Sequence, residues 1–227
     1  MAASNKTFDD VKKTLLSVNN LTKARDIIEF YNTWAESYDQ DFESLDYHGP
    51  RHVANCLSSG FLGDRETARV LDLACGTGAV AELLKSMGFK QFVGVDGSKN
   101  MLDLAAKIGL YQDLKECMLG YEPLPVQAGW FDVVVIAGAM APGYVPVSVV
   151  REMCEVTKPG GYVCMGMRAS CDNLEYIVEL EQELNLMEEA RLWDRVEVKE
   201  KVSWLKDDKE GGRYIPGVVY LYRKALQ

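Results

Sequence analysis

The run Val70-Leu71-Asp72-Leu73-Ala74-Cys75-Gly76-Thr77-Gly78, followed by Val93-Gly94-Val95-Asp96, restricts this chain to a small set of folds. A short apolar run such as Val70 to Ala74 suits a strand covered on both faces, the usual condition in a parallel sheet. Two glycines then allow a sharp turn and a close approach of the backbone to a ligand. Past the turn, Ala79, Val80, Leu83, Leu84 and Met87 recur at helical spacing, and Gly88 stands where a left-handed residue would end that helix. The unit reads strand, loop, helix, strand. Asp96 closes the second strand, where a carboxylate can accept both hydroxyls of a ribose. A nucleoside-bearing cofactor is the expectation.

Two cofactor classes use that geometry. Gly76-x-Gly78-x-x-Ala81 fits the dinucleotide pattern G-x-G-x-x-G/A, with Asp96 near the usual spacing of about 20 residues. Asp72 separates the two classes, because a carboxylate inside the first strand needs a donor or a cation to offset its burial. A nicotinamide dinucleotide would bring a pyrophosphate there, and repulsion would follow. S-adenosylmethionine would bring an ammonium and a sulfonium instead, so Asp72 favours it. The blander reading makes Gly76 and Gly78 an ordinary turn and Asp72 a local bridge between backbone amides. On that reading Asp96-Gly97-Ser98 merely begins a helix, with Ser98 as N-cap before Met101, Leu102, Ala105 and Ala106. All three coincidences together are the less economical account.

The same run resembles the first motif of class I S-adenosylmethionine-dependent methyltransferases, and Gly94-Val95-Asp96-Gly97-Ser98 resembles their second-strand motif. Phe131-Asp132-Val133-Val134-Val135-Ile136 is similar to their fourth strand, and Thr157-Lys158-Pro159-Gly160-Gly161 to the turn before the fifth. Segments outside the general pattern narrow the match. Phe30-Tyr31-x-x-Trp34-Ala35-x-x-Tyr38-Asp39-Gln40-Asp41, Gly109-Leu110-Tyr111-Gln112, Leu119-Gly120-Tyr121-Glu122-Pro123-Leu124-Pro125 and Pro216-Gly217-Val218-Val219-Tyr220-Leu221-Tyr222 resemble the methyltransferase-like protein 27 family, from about Ile28 to Lys224. The resemblance implies a Rossmann-like α/β fold: a seven-stranded, mostly parallel sheet with one antiparallel strand, flanked by helices and an N-terminal helical cap. It implies S-adenosylmethionine as methyl donor, S-adenosylhomocysteine as product, and no particular acceptor.

Composition agrees with a small enzyme. At 227 residues the chain suits one domain, expected over 26–227 with the cap at about 26–62, preceded by a polar and flexible segment 1–25. No signal-peptide pattern and no apolar run of membrane-spanning length stands in it, so a cytoplasmic or nuclear monomer is expected. Cys56, Cys75, Cys117, Cys154, Cys164 and Cys171 are dispersed without C-x-x-C spacing, which suits reduced thiols rather than a zinc cage or a disulfide framework. His48 and His52 have helical metal-ligand spacing, but Pro50 intervenes and no acid partner is evident, so no metal is expected. Net charge is −9, and the lysines and arginine at 199, 201, 206, 209 and 213 alternate with acids. Nucleic acid is therefore disfavoured as a partner, leaving a small-molecule or protein methyl acceptor.

Along the chain, an amphipathic helix through Val11, Leu15, Leu16 and Val18 precedes a helical region from Ala24 to Leu62, broken at His48-Gly49-Pro50. Within it Trp34 reads as core. Strands are expected near 69–74, 91–95, 114–119, 131–137 and 161–167, alternating with helices, as right-handed parallel crossovers require. Asp172-x-x-Glu175 resembles a capping box for a helix through Leu174, Ile177, Leu180, Leu184 and Met187. Val196 to Leu205 and Val218 to Arg223 read as two further strands around a loop with Gly211-Gly212.

For the site, the resemblance assigns Tyr38 beside the methionine moiety, Asp72, Ala74, Gly76 and Gly78 in and before the glycine loop, and Asp96 and Gly97 to the ribose, with Tyr31 and Ser98 as further cofactor-binding candidates. Met101, with Leu119 and Gly120, falls beside the adenine, and Ala137, with Gly138 after it, beside the methionine. Many relatives place an acid just before the Leu124-Pro125 turn, and this chain has Leu119-Gly120-Tyr121 there, so backbone groups are expected to take over that contact. Tyr144, Arg168 and Tyr176 are the candidates for acceptor binding, with Trp193 near them, and no general base is named. A nicotinamide-dependent oxidoreductase, opposed by Asp72 and by an expected lack of hydride-transfer residues such as a Tyr-x-x-x-Lys pair, and a cofactor-binding scaffold without turnover are the alternatives.

Overall fold

The computed structural model describes residues 6–208, 210 and 212–226, so Lys209 and Gly211 lie outside the described residues. Two helices, α1 (Phe8–Asn19) and α2 (Ala24–Ser44), lead into α3 (Gly49–Gly60). The alternating core follows as β1 (Arg69–Leu73), α4 (Ala79–Ser86), β2 (Gln91–Asp96), α5 (Lys99–Lys107), β3 (Tyr111–Glu116), β4 (Phe131–Ala137), α6 (Val149–Val156) and β5 (Thr157–Arg168). A short 3-10 turn, Cys171–Asn173, then opens onto α7 (Leu174–Glu189), β6 (Trp193–Lys206) and β7 (Tyr214–Lys224).

The strands form one seven-stranded sheet in the order β3-β2-β1-β4-β5-β7-β6. Pairing is parallel from β3 through β5, and β7 runs antiparallel to both β5 and β6. This is the seven-stranded arrangement with one reversed strand that the family resemblance implied. Between β1 and β4 the order reverses, and the two crossovers leave opposite faces of the sheet. A crevice opens there at the carboxyl ends of the strands.

Pleating assigns the core to two layers. Leu71 and Leu73 join Val149, Val150 and Met153 of α6 and Leu180, Leu184 and Met187 of α7. Val70, Val133 and Val135 join Val53 and Leu57 of α3 and Val80 and Leu84 of α4 on the other face. α1 adds Val11 to that second layer, and Val18 is also buried. Trp34 is buried there too, as expected, and its Nε1 donates to Asp41 Oδ2 at 2.6 Å.

Several local expectations shift. The third strand lies at Tyr111–Glu116 rather than 114–119, because it pairs with Phe92 to Asp96 and the chain turns away at Cys117. The cap divides. α2 packs on α5 and α1, whereas α3 lies on the sheet face against β4 to β7 and α4. Asp172 does not cap α7: Asn173 precedes the helix, and the Asp172 carboxylate accepts from Ser170 Oγ and from Arg168 at 2.9 Å. An arginine in reach outcompetes the weakly polar amides of the first turn. Gly88 does follow α4 with φ +101.

Candidate functional site

A cavity of about 700 Å³ occupies the crevice at the carboxyl ends of β2, β1, β4 and β5, roofed by α2. Its volume falls within the range of roughly 300–1,000 Å³ common to small-molecule sites. The glycine loop forms one side. After Leu73 the chain turns through Ala74 (φ +49) and Gly76 (φ +54), then enters α4 from Gly78 at φ +104. A Cβ at Gly78 would stand 2.4 Å from Ile108 Cδ1, so glycine is required by contact as well as by φ. A Cβ at Gly76 would meet nothing within 4 Å, which leaves this backbone open toward the cavity it lines.

Asp96 anchors the loop from the end of β2. Its Oδ2 accepts from the Gly76 amide and its Oδ1 from the Ser98 amide, both at 2.8 Å. Burial pushes its carboxyl up from the ordinary carboxylate range, while the amides of Ser98, Gly76 and Gly97 pull it back. Each oxygen keeps a further lone pair on a residue that lines the cavity, which is what a ribose diol requires.

α2 is tied over this loop by residues that the sequence pattern did not single out. Thr77 Oγ1 donates to Asp39 Oδ1 at 2.6 Å, and Ser98 Oγ donates to Asn32 Oδ1 at 2.7 Å. Asn32 and Asp39 are two helical turns apart and share a face, so a polar pair at that spacing beside an aromatic stripe was an available signal. Ser98 also accepts from the Met101 amide at 3.2 Å, capping α5 as expected. Replacing Ser98 with alanine removes both bonds and is expected to cost about 1–2 kcal/mol, read by urea unfolding. An unchanged midpoint would show that neither contact carries weight.

Twelve of the sixteen residues singled out from the sequence line the cavity: Tyr31, Tyr38, Ala74, Gly76, Asp96, Gly97, Ser98, Met101, Leu119, Ala137, Tyr144 and Arg168. Four do not. Pleating puts Asp72 on the α4 face of β1 with Val70, where its carboxylate accepts from the Tyr111 hydroxyl at 2.8 Å. Gly78 serves the turn, and Gly120 (φ +75) turns the chain against Pro146. Tyr176 is buried in the α6–α7 layer and donates to the Val145 carbonyl at 2.8 Å, so it is a core residue. Trp193 is likewise core, with Nε1 donating to the Leu184 carbonyl. His48 and His52 lie elsewhere, bonded to Asp46 and to the Ser203 carbonyl.

The structure adds Tyr47 and Trp204 to the cavity wall, from the α2–α3 connection and from β6. Tyr31, Tyr38, Phe42 and Tyr47 form a chain of ring contacts, with Tyr38 and Phe42 at 4.4 Å and Phe42 and Tyr47 at 4.9 Å. Burial raises the phenols of Tyr31, Tyr38, Tyr47 and Tyr144 above their ordinary range, so all four keep their protons at neutral pH. The spacing Tyr-x-x-x-Lys, familiar from hydride transfer, occurs at Tyr111/Lys115 in β3 and Tyr220/Lys224 in β7, and neither pair lines the cavity. Among the described residues no helix is long and apolar enough to cross a membrane.

The family described as "Methyltransferase domain" matches residues 64–210. Human methyltransferase-like protein 27 is 43% identical over 88% of this chain and 80% of its own length. The ubiquinone biosynthesis O-methyltransferase of Bordetella pertussis is 33% identical over half of each chain. Among solved structures, a TehB-like S-adenosylmethionine-dependent methyltransferase from Corynebacterium glutamicum superposes with a TM-score of 0.57 at 17% identity, covering 85% of this chain and 98% of that one. The sheet order, the glycine loop facing Asp96 and these matches agree: the chain belongs to the methyltransferase-like protein 27 family of class I S-adenosylmethionine-dependent methyltransferases.

Proposed function

We propose that the cavity is the site where this methyltransferase holds S-adenosylmethionine and presents its methyl group to an acceptor. The observation that carries the reading is Asp96, a buried carboxylate at the end of β2, gripped by the glycine-loop and α5 amides and still facing the cavity. Asp96 would take the ribose, with Gly97 and Ser98 beside it. Met101 and Leu119 would flank the adenine, Met101 as a polarizable surface. Ala74, Gly76 and Ala137 would offer backbone groups to the methionine part, with Tyr31 and Tyr38 closing over it.

The bound cofactor supplies an electrophilic methyl group, so the protein mainly aligns the reactants and excludes water. α2 performs the exclusion, its aromatic stripe lying over the crevice and its polar face tied to Thr77 and Ser98. The four phenols stay protonated, and the Asp96 carboxylate is given over to the Gly76 and Ser98 amides and, on this reading, to the ribose, so none of these groups is set to accept a proton from the acceptor. The acceptor would arrive in its nucleophilic form. Free thiols, five of them buried, support a reducing compartment such as the cytosol.

Calorimetric titration with S-adenosylmethionine, S-adenosylhomocysteine, NAD and NADP tests the reading. Micromolar binding of the first two alone supports it; binding of a dinucleotide alone overturns it. Binding is also expected to slow amide exchange in α2, since the helix gains contacts while its ties to Thr77 and Ser98 persist. Equal exchange with and without S-adenosylhomocysteine would count against that closure.

A further inference from the structure

The acceptor is a question for the part of the cavity beyond the proposed nucleoside position, and its chemistry bears on the acceptor only if the cavity is the methyl-transfer site proposed for it. Across the sheet the rim runs from Asp96 on β2 past β1 and β4 to Arg168 at the end of β5. Three strand spacings of about 4.8 Å place Arg168 roughly 14 Å along the rim from Asp96.

Arg168 is fixed from two sides. Its Nη2 donates to Asp172 Oδ2 at 2.9 Å, and Asp172 is itself held by Ser170. Its carbonyl accepts from the fully buried Asn173 at 2.9 Å. Its Nε, however, is buried with no hydrogen-bond partner. A buried donor on a charged group is costly to leave unmet, and a guanidinium has five N–H donors to offer. The Nε itself is enclosed by protein; Asp172 takes Nη2, and Arg168 lines the cavity, so an anionic group there would be met by the Nη donors that Asp172 leaves over.

The neighbours are flat and apolar. Tyr47 sets its hydroxyl against Gly138 at the end of β4, and Trp204 meets the Tyr47 ring at 6.0 Å. Arg168, Tyr47 and Tyr144 line the same cavity. Of the other cations lining the cavity, Lys12 is matched by Asp207 at 2.8 Å, and Lys206 adds positive charge. Asp172 and Asp207, which also line the cavity, answer Arg168 and Lys12, so selection for an acid rests on the directed guanidinium donors rather than on net charge.

We propose that the methyl acceptor is a carboxylic acid with a flat apolar body, its carboxylate pairing with Arg168 and its body lying against Tyr47, Tyr144 and Trp204. The test uses the intact protein saturated with S-adenosylhomocysteine and three probes of one shape: 2-naphthoate, 2-naphthamide and 2-naphthylmethylamine. Calorimetry is expected to give the acid at least tenfold tighter binding than the amide and no binding of the amine. In Arg168→Gln the acid should weaken tenfold or more while the amide moves less than twofold, and Arg168→Lys should restore part of the preference. Acid no better than amide on the unmodified protein, or amine preferred, overturns the proposal whether or not the variants fold. Gly-Gly-Phe and its amide extend the comparison: preference for the free peptide acid over naphthoate assigns the carboxylate to a polypeptide terminus, and the reverse assigns it to a small molecule. Failure of S-adenosylhomocysteine to bind would instead remove the methyl-transfer reading, before any acid is added.

Discussion

Replacing Asp96 with alanine is expected to weaken S-adenosylhomocysteine binding by about a hundredfold or more, with the fold intact. Hydrogen bonds to a charged group contribute about 1.5–3 kcal/mol each, and two ribose hydroxyls on one carboxylate therefore account for roughly two decades of affinity. The substitution also frees the Gly76 and Ser98 amides, so the loop that frames the ligand loses its preorganisation. Asp96→Asn keeps the shape and one acceptor oxygen, and should fall between the two. Calorimetry on all three proteins decides the matter: an alanine variant within fivefold of the parent would remove the ribose from Asp96.

Asp72→Asn is expected to make the free protein more stable, by roughly 4 kcal/mol at pH 8 and under about 2 kcal/mol at pH 5. Burial raises the Asp72 carboxyl from 3.8 to about 7, Tyr111 pulls it back in part, and Asp96 adds repulsion. Below about pH 4 both folded and unfolded chains hold the proton, and this group costs nothing. As pH rises from there to 7 the unfolded chain releases it first, so stability falls through that window and levels off above it. Asparagine keeps an acceptor for Tyr111 without the charge. Urea unfolding of both proteins at pH 5, 6, 7 and 8 measures the gap directly; a gap independent of pH would show that Asp72 does not titrate in this range. Titrating the same variant with S-adenosylhomocysteine asks a separate question, whether the charge behind the glycine loop is felt by the ligand at all.

Those two acids show how differently sequence and tertiary structure contribute. Asp96 was legible because its position is local: it ends a strand, and Gly97-Ser98 starts a helix, so the carboxylate has to emerge at the sheet edge. Asp72 was legible as buried and costly, but not in its partner. Its four-residue distance from Gly76 says nothing of Tyr111, which arrives from β3 on the same face. Similarly, Tyr176 and Trp193 look exposed enough on an acidic helix and its following strand to serve a substrate, and only packing against α6 and β7 turns them into core.

From the sequence alone came the alternation of strand and helix, the glycine turn and the capping serine, because each depends on periodicity or on backbone preferences within a few residues; the reversed strand at the end was implied only by the family resemblance. Tertiary structure alone decided which faces meet. It divided the cap, laying α3 on the sheet and leaving α2 over the crevice, and it tied Asp39 to the glycine loop and Asn32 to the β2–α5 connection, both far along the chain. It also brought Arg168, Tyr47 and Trp204, from three separate parts of the chain, to one wall. Such meetings are set by sheet order and crossover, which no local pattern encodes, and they determine what the cavity can recognise.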